Sequence, residues 1–165
     1  MSHKCFISYN AADKAAVDTF CEKFSGTFIR RGLTMEDDII DSTNTDYVMQ
    51  RIRSLYLQDS TVTIVLIGKC TWARRFVDWE VQASLRNPSD GYPNGVVAIQ
   101  LWDSYNNLPD RVNSNVDSGY SKFYKYPKSS TSLENMINEA FDARFDKQNL
   151  IVNPRERFSY NRSCE

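Results

Sequence analysis

The sequence has few of the features that mark metal sites, membrane spans or nucleic-acid binding. Its 165 residues include a single histidine, His3, and four scattered cysteines without a C-x-x-C pair, so it offers no set of zinc ligands. Twenty basic against twenty-one acidic residues give a formal charge of −1, which provides no excess positive charge for nucleic acid or an anionic membrane. No apolar run approaches the roughly 20 residues that span a bilayer. We therefore expect no metal, no nucleic-acid partner and no membrane span.

Two further observations concern the cellular compartment. The N-terminal stretch MSHKCFISYN lacks the apolar region of a signal peptide, so we expect a cytoplasmic protein. Cys5 and Cys21 fall at apolar positions of a strand-like and a helix-like segment, so we predict reduced thiols in the core.

Apolar residues alternate along the chain between strand-like and helix-like spacing. The run TVTIVLIG at 61–68 is continuous and rich in β-branched residues, which is typical of a central parallel strand covered on both faces. Thr131 and Glu134 have the spacing of a capping box at the start of an amphipathic segment. By these criteria we predict strands over 4–10, 33–40, 61–68 and 96–102, and helices over 12–32, 45–59, 75–85 and 131–147.

Strands that alternate with helices predict an α/β domain, with a doubly wound, mostly parallel sheet and helices on both faces. No internal repeat or linker is visible, so we expect a single domain over 1–165, with an irregular tail from about 148 to 165. The segment 103–130 is polar and turn-rich, with an edge strand suggested at KFYKY. In such sheets, ligands bind beyond the carboxyl ends of the strands. The segments at those places are SYNAAD, EDDIID and GKCTWARRFVDWE.

The segment after the third predicted strand has the strongest local signal. On a helix that begins near Arg75, Phe76 and Glu80 are four residues apart and share a face, and Trp72 precedes the helix. Trp79 points elsewhere, into the core. A fixed carboxylate can stabilise an oxocarbenium-like transition state at a ribose or hold its hydroxyls, and aromatic rings can stack on nicotinamide or adenine. The alternative is a solvated helix carboxylate paired with a Lys or Arg.

The sequence does not match three other motifs that handle phosphate or nucleotides, namely the P-loop, the Rossmann glycine motif and the phospho-receiver domain. LIGKCT has Thr63 where a P-loop needs its first Gly, and Cys70 where Ser or Thr should follow the Lys. No G-x-G-x-x-G follows the first strand, which argues against a dinucleotide bound in the Rossmann manner. A phospho-receiver domain needs an acidic pair after the first strand and an Asp after the third, where this chain has SYN and GK.

Two segments, KCFISYNAADK and VTIVLIGKCTWARRFVDWEV, resemble the TIR-like family, and most closely the bacterial TIR proteins of Thoeris anti-phage defence. The resemblance covers residue 4 to about residue 102 and fades beyond 103. It implies a flavodoxin-like TIR fold and an enzyme that cleaves the nicotinamide–ribose bond of NAD+, with NAD+ as substrate and no further cofactor. It also implies that the ADP-ribosyl part becomes a diffusible nucleotide that activates a separate effector. Whether that product is cyclised, hydrolysed or conjugated is left open.

The resemblance also assigns roles to individual residues. The family's catalytic Glu follows an aromatic residue by four positions, which maps onto Glu80 and Phe76. Phe76 stands where the family usually has Trp, so it keeps an aromatic wall but lacks the indole N–H. The positions implied to contact the nucleotide are Ser8, Tyr9, Asn10, Asp38 or its neighbour Asp37, Trp72 and Arg75. The alternatives are turn formation and helix capping for Ser8 and Asn10, a solvated loop for the two aspartates, and a surface ion pair for Arg75.

The second hypothesis is a non-catalytic interaction module, because many TIR domains act by self-association. The tyrosine-rich segment YSKFYKYP (120–127) is a candidate contact surface, and an edge strand with an exposed aromatic face is the alternative. A scaffold would tolerate Glu80→Gln and respond to changes at Tyr124 or Tyr126, whereas an enzyme would lose turnover with Glu80→Gln. We expect self-association in both cases, since family enzymes often need assembly.

Overall fold

The computed structural model describes residues 2–32, 42–88 and 90–164. In these ranges the strands are β1 (Lys4–Ser8), β2 (Ile29–Arg30), β3 (Val62–Ile67), β4 (Gly95–Gln100) and β5 (Lys122–Tyr124). They form one sheet in the order β2-β1-β3-β4-β5, and each neighbouring pair is parallel. The helices are α1 (Lys14–Lys23), α2 (Thr45–Ile52), α3 (Arg75–Leu85), α4 (Asp110–Ser118) and α5 (Ser130–Asp146).

Helices cover both faces of the sheet. Helices α1 and α5 pack on one face, to which β1 contributes Cys5 and Ile7, and Tyr9, which directly follows β1, packs on the same face. Helices α2, α3 and α4 pack on the other face, to which β1 contributes Phe6. Strands β3 and β4 are buried along their whole length, as a continuous apolar run predicts. The doubly wound α/β architecture predicted from the sequence is therefore confirmed, and all the described strand pairs are parallel.

The first predicted helix is too long. Instead of running over 12–32, α1 ends at Lys23, and the chain turns before β2 pairs with β1. Three phenylalanines with helix-like spacing lie in the same buried cluster, namely Phe20, Phe24 and Phe28. Their spacing reflects a shared core contact made by a helix and the turn after it, rather than one continuous helix. The strand predicted over 33–40 lies outside the described residues.

The region over 103–130 contains a helix that the sequence pattern does not predict. Helix α4, with the sequence DRVNSNVDS, has only two apolar residues, Val112 and Val116, and it buries the polar Arg111 and Asn115 as well as Val112. The edge strand suggested at KFYKY is confirmed as β5.

The later predicted helices are confirmed with small shifts. Helix α2 continues into a π-helical turn over Arg53–Leu57, and α3 spans the predicted residues. Helix α5 is capped by Ser129, whose hydroxyl accepts a hydrogen bond from the main-chain N–H of Ser132. The predicted capping box two residues later is therefore wrong, because the helix has already begun there.

The last described residues, which we call the tail (residues 151–164), wrap against helix α3. The main-chain N–H of Arg162 donates to the carbonyl of Ala73 at 2.8 Å. A disulfide joins Cys164 to Cys70 across a sequence separation of 94. Cys5 and Cys21 are free, as predicted. Nowhere in the described ranges is there a helix that is long and apolar enough to cross a bilayer.

Candidate functional site

The side chains of Ser8 and Glu80 meet beside the carboxyl end of β1. Ser8 is the last residue of that strand, and its hydroxyl donates a hydrogen bond of 2.7 Å to Glu80 Oε1. Both residues are completely buried. The structure thus joins two predicted site residues that lie 72 positions apart in sequence. It also excludes the alternative in which Glu80 is a solvated surface carboxylate.

The alternation of side chains along β1 determines which residues face Glu80. Cys5, Ile7 and Tyr9 belong to the cluster under α1 and α5, so Phe6 and Ser8 face the opposite side, where α3 lies. Helix α3 is buried along its length after the first turn, so its polar groups must bond within the protein.

A carboxylate held in this way is suited to electrostatic catalysis. Burial excludes water, which strengthens the interaction between the carboxylate and any positive charge that develops beside it. The hydroxyl of Ser8 fixes the direction of one carboxylate oxygen. Because neither side chain is exposed, a ligand reaches Glu80 only when the side chains that cover it move.

Aromatic rings lie next to Glu80 on helix α3. Phe76 is half-buried, and its ring meets the ring of Trp79 edge-on, with 5.9 Å between centroids. Trp79 packs in the buried cluster with Phe6, which confirms its predicted place in the core. Phe76 thus lies one turn before Glu80 on α3, at the margin of the buried cluster. Its role as an aromatic wall stays a prediction.

The other residues predicted after β1 do not join this pair. Tyr9 is buried on the opposite face of the sheet. The side-chain oxygen of Asn10 accepts a hydrogen bond of 3.4 Å from the main-chain N–H of Ala12, so Asn10 caps the turn that precedes α1. Asp37 and Asp38 lie outside the described residues.

Arg75 is bonded to the tail. Its main-chain N–H donates to Asn161 Oδ1 at 2.8 Å, and its Nη1 donates to the carbonyl of Ser159 at 3.1 Å. Its guanidinium also lies 4.8 Å from the centroid of the Phe76 ring. The indole N–H of Trp79 donates to the carbonyl of Phe158 at 2.7 Å. The tail thus covers the start of α3, where the resemblance implied that Arg75 contacts the nucleotide.

Trp72 lies in a separate cleft. It lines a cavity of about 340 Å³ together with Asn106, Asn107 and Asp110. This cleft is formed by the loops that follow β3 and β4. The structure thus places Trp72 at the wall of this cleft.

Two carboxyl groups that are fully or partly buried are not among the residues that the sequence singles out. Asp78 pairs with Arg111, with 3.0 Å between Oδ1 and Nε, and accepts a hydrogen bond of 2.8 Å from the main-chain N–H of Phe158. Asp13, in the SYNAAD loop, has one carboxylate oxygen buried against Gly68. For Asp78 the sequence does contain a signal, because a charged residue inside a helix that is buried on most sides needs a partner within the protein. Asp13 gives no such signal, because Asp is common at helix starts.

The described residues provide charge and hydrogen-bonding groups rather than a metal centre. Over residues 2–32, 42–88 and 90–164, no three His, Cys, Asp or Glu side chains lie together in a way that could hold a metal ion. The candidate site is thus the Ser8–Glu80 pair with Phe76 at its margin.

Comparison with known proteins supports the resemblance seen in the sequence. The family model described as the TIR-like domain of the Thoeris protein ThsB matches residues 6–106, which is more than half of the chain. The matched region runs from β1 through β4 and includes both Ser8 and Glu80. None of the curated proteins matches this sequence. On the strength of the family match, the chain belongs to the family of Thoeris ThsB TIR-like domains.

Proposed function

We propose that this TIR-domain defence protein cleaves NAD+ at the nicotinamide–ribose bond and passes the ADP-ribosyl group to an acceptor, which yields a nucleotide messenger for a separate effector. The observation that carries the proposal is the fully buried hydrogen bond between Ser8 and Glu80 beside the carboxyl end of β1. Ligands of doubly wound sheets bind at this edge. Membership of the Thoeris TIR-like family supports the choice of NAD+.

The reaction needs a group that stabilises positive charge on a ribose. When the bond between C1′ and the ring nitrogen breaks, its electron pair moves to that nitrogen, and nicotinamide leaves as a neutral molecule. Positive charge then develops on the ribose, and the carboxylate of Glu80 stabilises it. Ser8 keeps the carboxylate oriented, and Phe76 offers a ring for stacking. The acceptor that attacks C1′ determines whether the product is hydrolysed, cyclised or conjugated.

The test is to incubate purified protein with NAD+ and separate the products by chromatography with mass detection. The wild type should release nicotinamide, and the mass of the second product identifies the acceptor. Glu80→Gln keeps the shape of the side chain but removes its charge, so turnover should fall roughly 10²- to 10³-fold. Ser8→Ala removes only the orienting hydrogen bond, so the loss should be smaller, up to roughly tenfold.

Glu134→Gln is the matched control, since Glu134 is an exposed glutamate on α5. It should leave turnover unchanged, and all the variants should keep the circular dichroism spectrum of the wild type. Full activity of Glu80→Gln would disprove the catalytic role of that residue. No turnover by the wild type, even with lysate from phage-infected cells added, would disprove the proposed reaction.

The interaction module receives no support from the segment that suggested it. Tyr120 is buried, the hydroxyl of Tyr124 donates to Glu139 Oε1 at 2.6 Å, and Tyr126 packs edge-on against Phe20. These tyrosines pack against the protein instead of forming an exposed aromatic surface. Self-association stays a prediction, to be measured by sedimentation.

A further inference from the structure

Asp13 lies at the N-cap of α1 but does not cap the helix. An Asp in this position usually accepts a hydrogen bond from a main-chain N–H in the first turn. Here the side chain makes no such bond. Two other helices of the same chain show the usual arrangement, because Asn44 caps α2 and Ser129 caps α5 through their side-chain oxygens. Asp13 ends the short 3-10 turn Ala11–Asp13, which Asn10 already caps, and its ψ of 10° differs from the extended backbone of the two capping residues. Its carboxylate is therefore not engaged by the helix that it precedes.

The carboxylate is directed to the end of β3. It lies against Gly68, so closely that a Cβ built on this glycine would be 2.1 Å from Asp13 Oδ2. Oδ2 is buried and has no hydrogen-bond partner among the residues that the structure describes. A buried polar atom without a partner is costly, and native proteins usually satisfy it. Burial also raises the pKa of the Asp13 carboxyl, as expected for a group that loses water without gaining a donor.

The order of the strands shows at which part of the sheet this carboxylate lies. From β1 the chain goes to β2 on one side, and β3, β4 and β5 lie on the other side. The crevice between the carboxyl ends of β1 and β3 is thus the point where strand order reverses, which is where doubly wound sheets bind ligands. Asp13 comes from the loop after β1, and Gly68 directly follows β3. Ser8, with its bond to Glu80, ends the same strand β1.

We propose that Asp13 is a nucleotide-binding residue whose carboxylate accepts a hydrogen bond from a neutral donor of NAD+, either a sugar hydroxyl or the carboxamide N–H. This proposal rests on the proposed function. A carboxylate repels phosphate, so the pyrophosphate is not the group that Asp13 contacts. Gly68 is part of the same arrangement, because any side chain at that position would displace the carboxylate.

A helix-capping role and a binding role of Asp13 predict different effects of its replacement on the Tm and on the KM. A capping Asp stabilises its helix, so its replacement by Ala would lower the Tm. A binding Asp with an unpaired buried oxygen costs stability in the free protein, so Asp13→Ala should leave the Tm unchanged or raise it. The KM for NAD+ should meanwhile rise roughly ten- to a hundredfold, as for loss of a hydrogen bond to a charged group. If the Ala variant does not fold, Asp13→Asn, which removes the charge but keeps one acceptor oxygen, should raise the KM by a smaller factor.

Two control variants separate the explanations. Asn44→Ala removes a real cap and should lower the Tm by a few degrees. Asp18→Asn removes a charge from α1, where Asp18 forms an exposed pair with Lys14, and should leave the KM within about twofold. Calorimetric titration of each variant with ADP-ribose and, separately, with nicotinamide identifies the donor. A weaker affinity for ADP-ribose indicates a sugar hydroxyl, and a weaker affinity for nicotinamide indicates the carboxamide.

The outcomes are distinct. A raised KM for Asp13→Ala without a lower Tm supports the proposal. An unchanged KM in an active protein overturns it and leaves the proposed function standing, whether or not the Tm falls. A wild type that neither cleaves NAD+ nor binds ADP-ribose or nicotinamide overturns both.

Discussion

Cys164→Ser should be among the most destabilising single substitutions in the tail. The disulfide closes a loop with a sequence separation of 94. In the chain-entropy treatment, a cross-link over a loop of this length lowers the conformational entropy of the unfolded state. Its loss therefore lowers the free energy of unfolding by about 4.7 kcal/mol at 25 °C. For a domain of this size, each kcal/mol moves the Tm by about 2–4 °C, so the Tm should fall by roughly 9–19 °C.

This figure is an upper bound, because the tail can detach without global unfolding. Apart from the disulfide, hydrogen bonds such as those of Phe158 to Trp79 and Asp78 hold the tail on α3. If these open first in the variant, the Tm falls less, but the tail becomes accessible to protease. Trypsin should then cut after Arg155, Arg157 or Arg162 before the rest of the domain is digested.

The assays are thermal unfolding followed by circular dichroism and limited trypsin digestion, each with and without reductant. Reduction of the wild type should reproduce the effect of Cys164→Ser, and reduction of the variant should change nothing further. Cys21→Ser is the matched control, because Cys21 is free. An unchanged Tm and an unchanged digestion pattern in Cys164→Ser would show that the disulfide does not hold the tail.

Three further predictions concern the core and its pH dependence. Arg111→Met leaves the carboxylate of Asp78 buried without its cation, so urea unfolding should show a loss of about 3–5 kcal/mol. Gly95→Ala forces a Cβ to within 2.0 Å of a main-chain oxygen of α5, so stability should fall by about 1–3 kcal/mol in the same assay. Burial, and then the hydrogen bond to Glu139, raise the pKa of Tyr124 to about 12, so its contribution to stability should be complete below about pH 10 and disappear between about pH 10 and 12.

Each of these predictions has its own control. Arg162→Met breaks an exposed ion pair and should cost less than about 1 kcal/mol, so an equal loss in the two arginine variants would contradict the burial argument. Gly26→Ala adds a Cβ that meets nothing within 4 Å, and it should be tolerated where Gly95→Ala is not. Tyr124→Phe should lose less stability than the wild type between pH 10 and 12, and parallel curves would refute the assignment.

The sheet and helix α3 could be predicted because burial on both sides leaves a pattern in the sequence. The run at 61–68 became β3, and the helix expected over 75–85 became α3. Helix α4 could not be predicted in the same way, because it has only two apolar residues and Arg111 and Asn115 are buried through polar contacts instead.

The site was predictable only in part. The rule that parallel strands end at one edge brings Ser8 and Glu80 close, and the structure pairs them. The alternation of side chains also shows that Ser8 and Tyr9 cannot face the same side, which the grouping of both in one nucleotide pocket overlooked. The contacts of the tail left no signal, because Phe158 and Ser159 bond through main-chain groups that every residue type shares.

The edges of the sheet limit how copies of this domain could assemble. In the described parts of the chain, β2 has two residues and includes Arg30, and β5 has three residues and includes Lys122. Short edge strands with charged side chains resist the addition of a further strand from another molecule. A dimer or filament of this domain would therefore have to form through helices and loops, where side chains rather than main-chain hydrogen bonds decide which surfaces recognise each other.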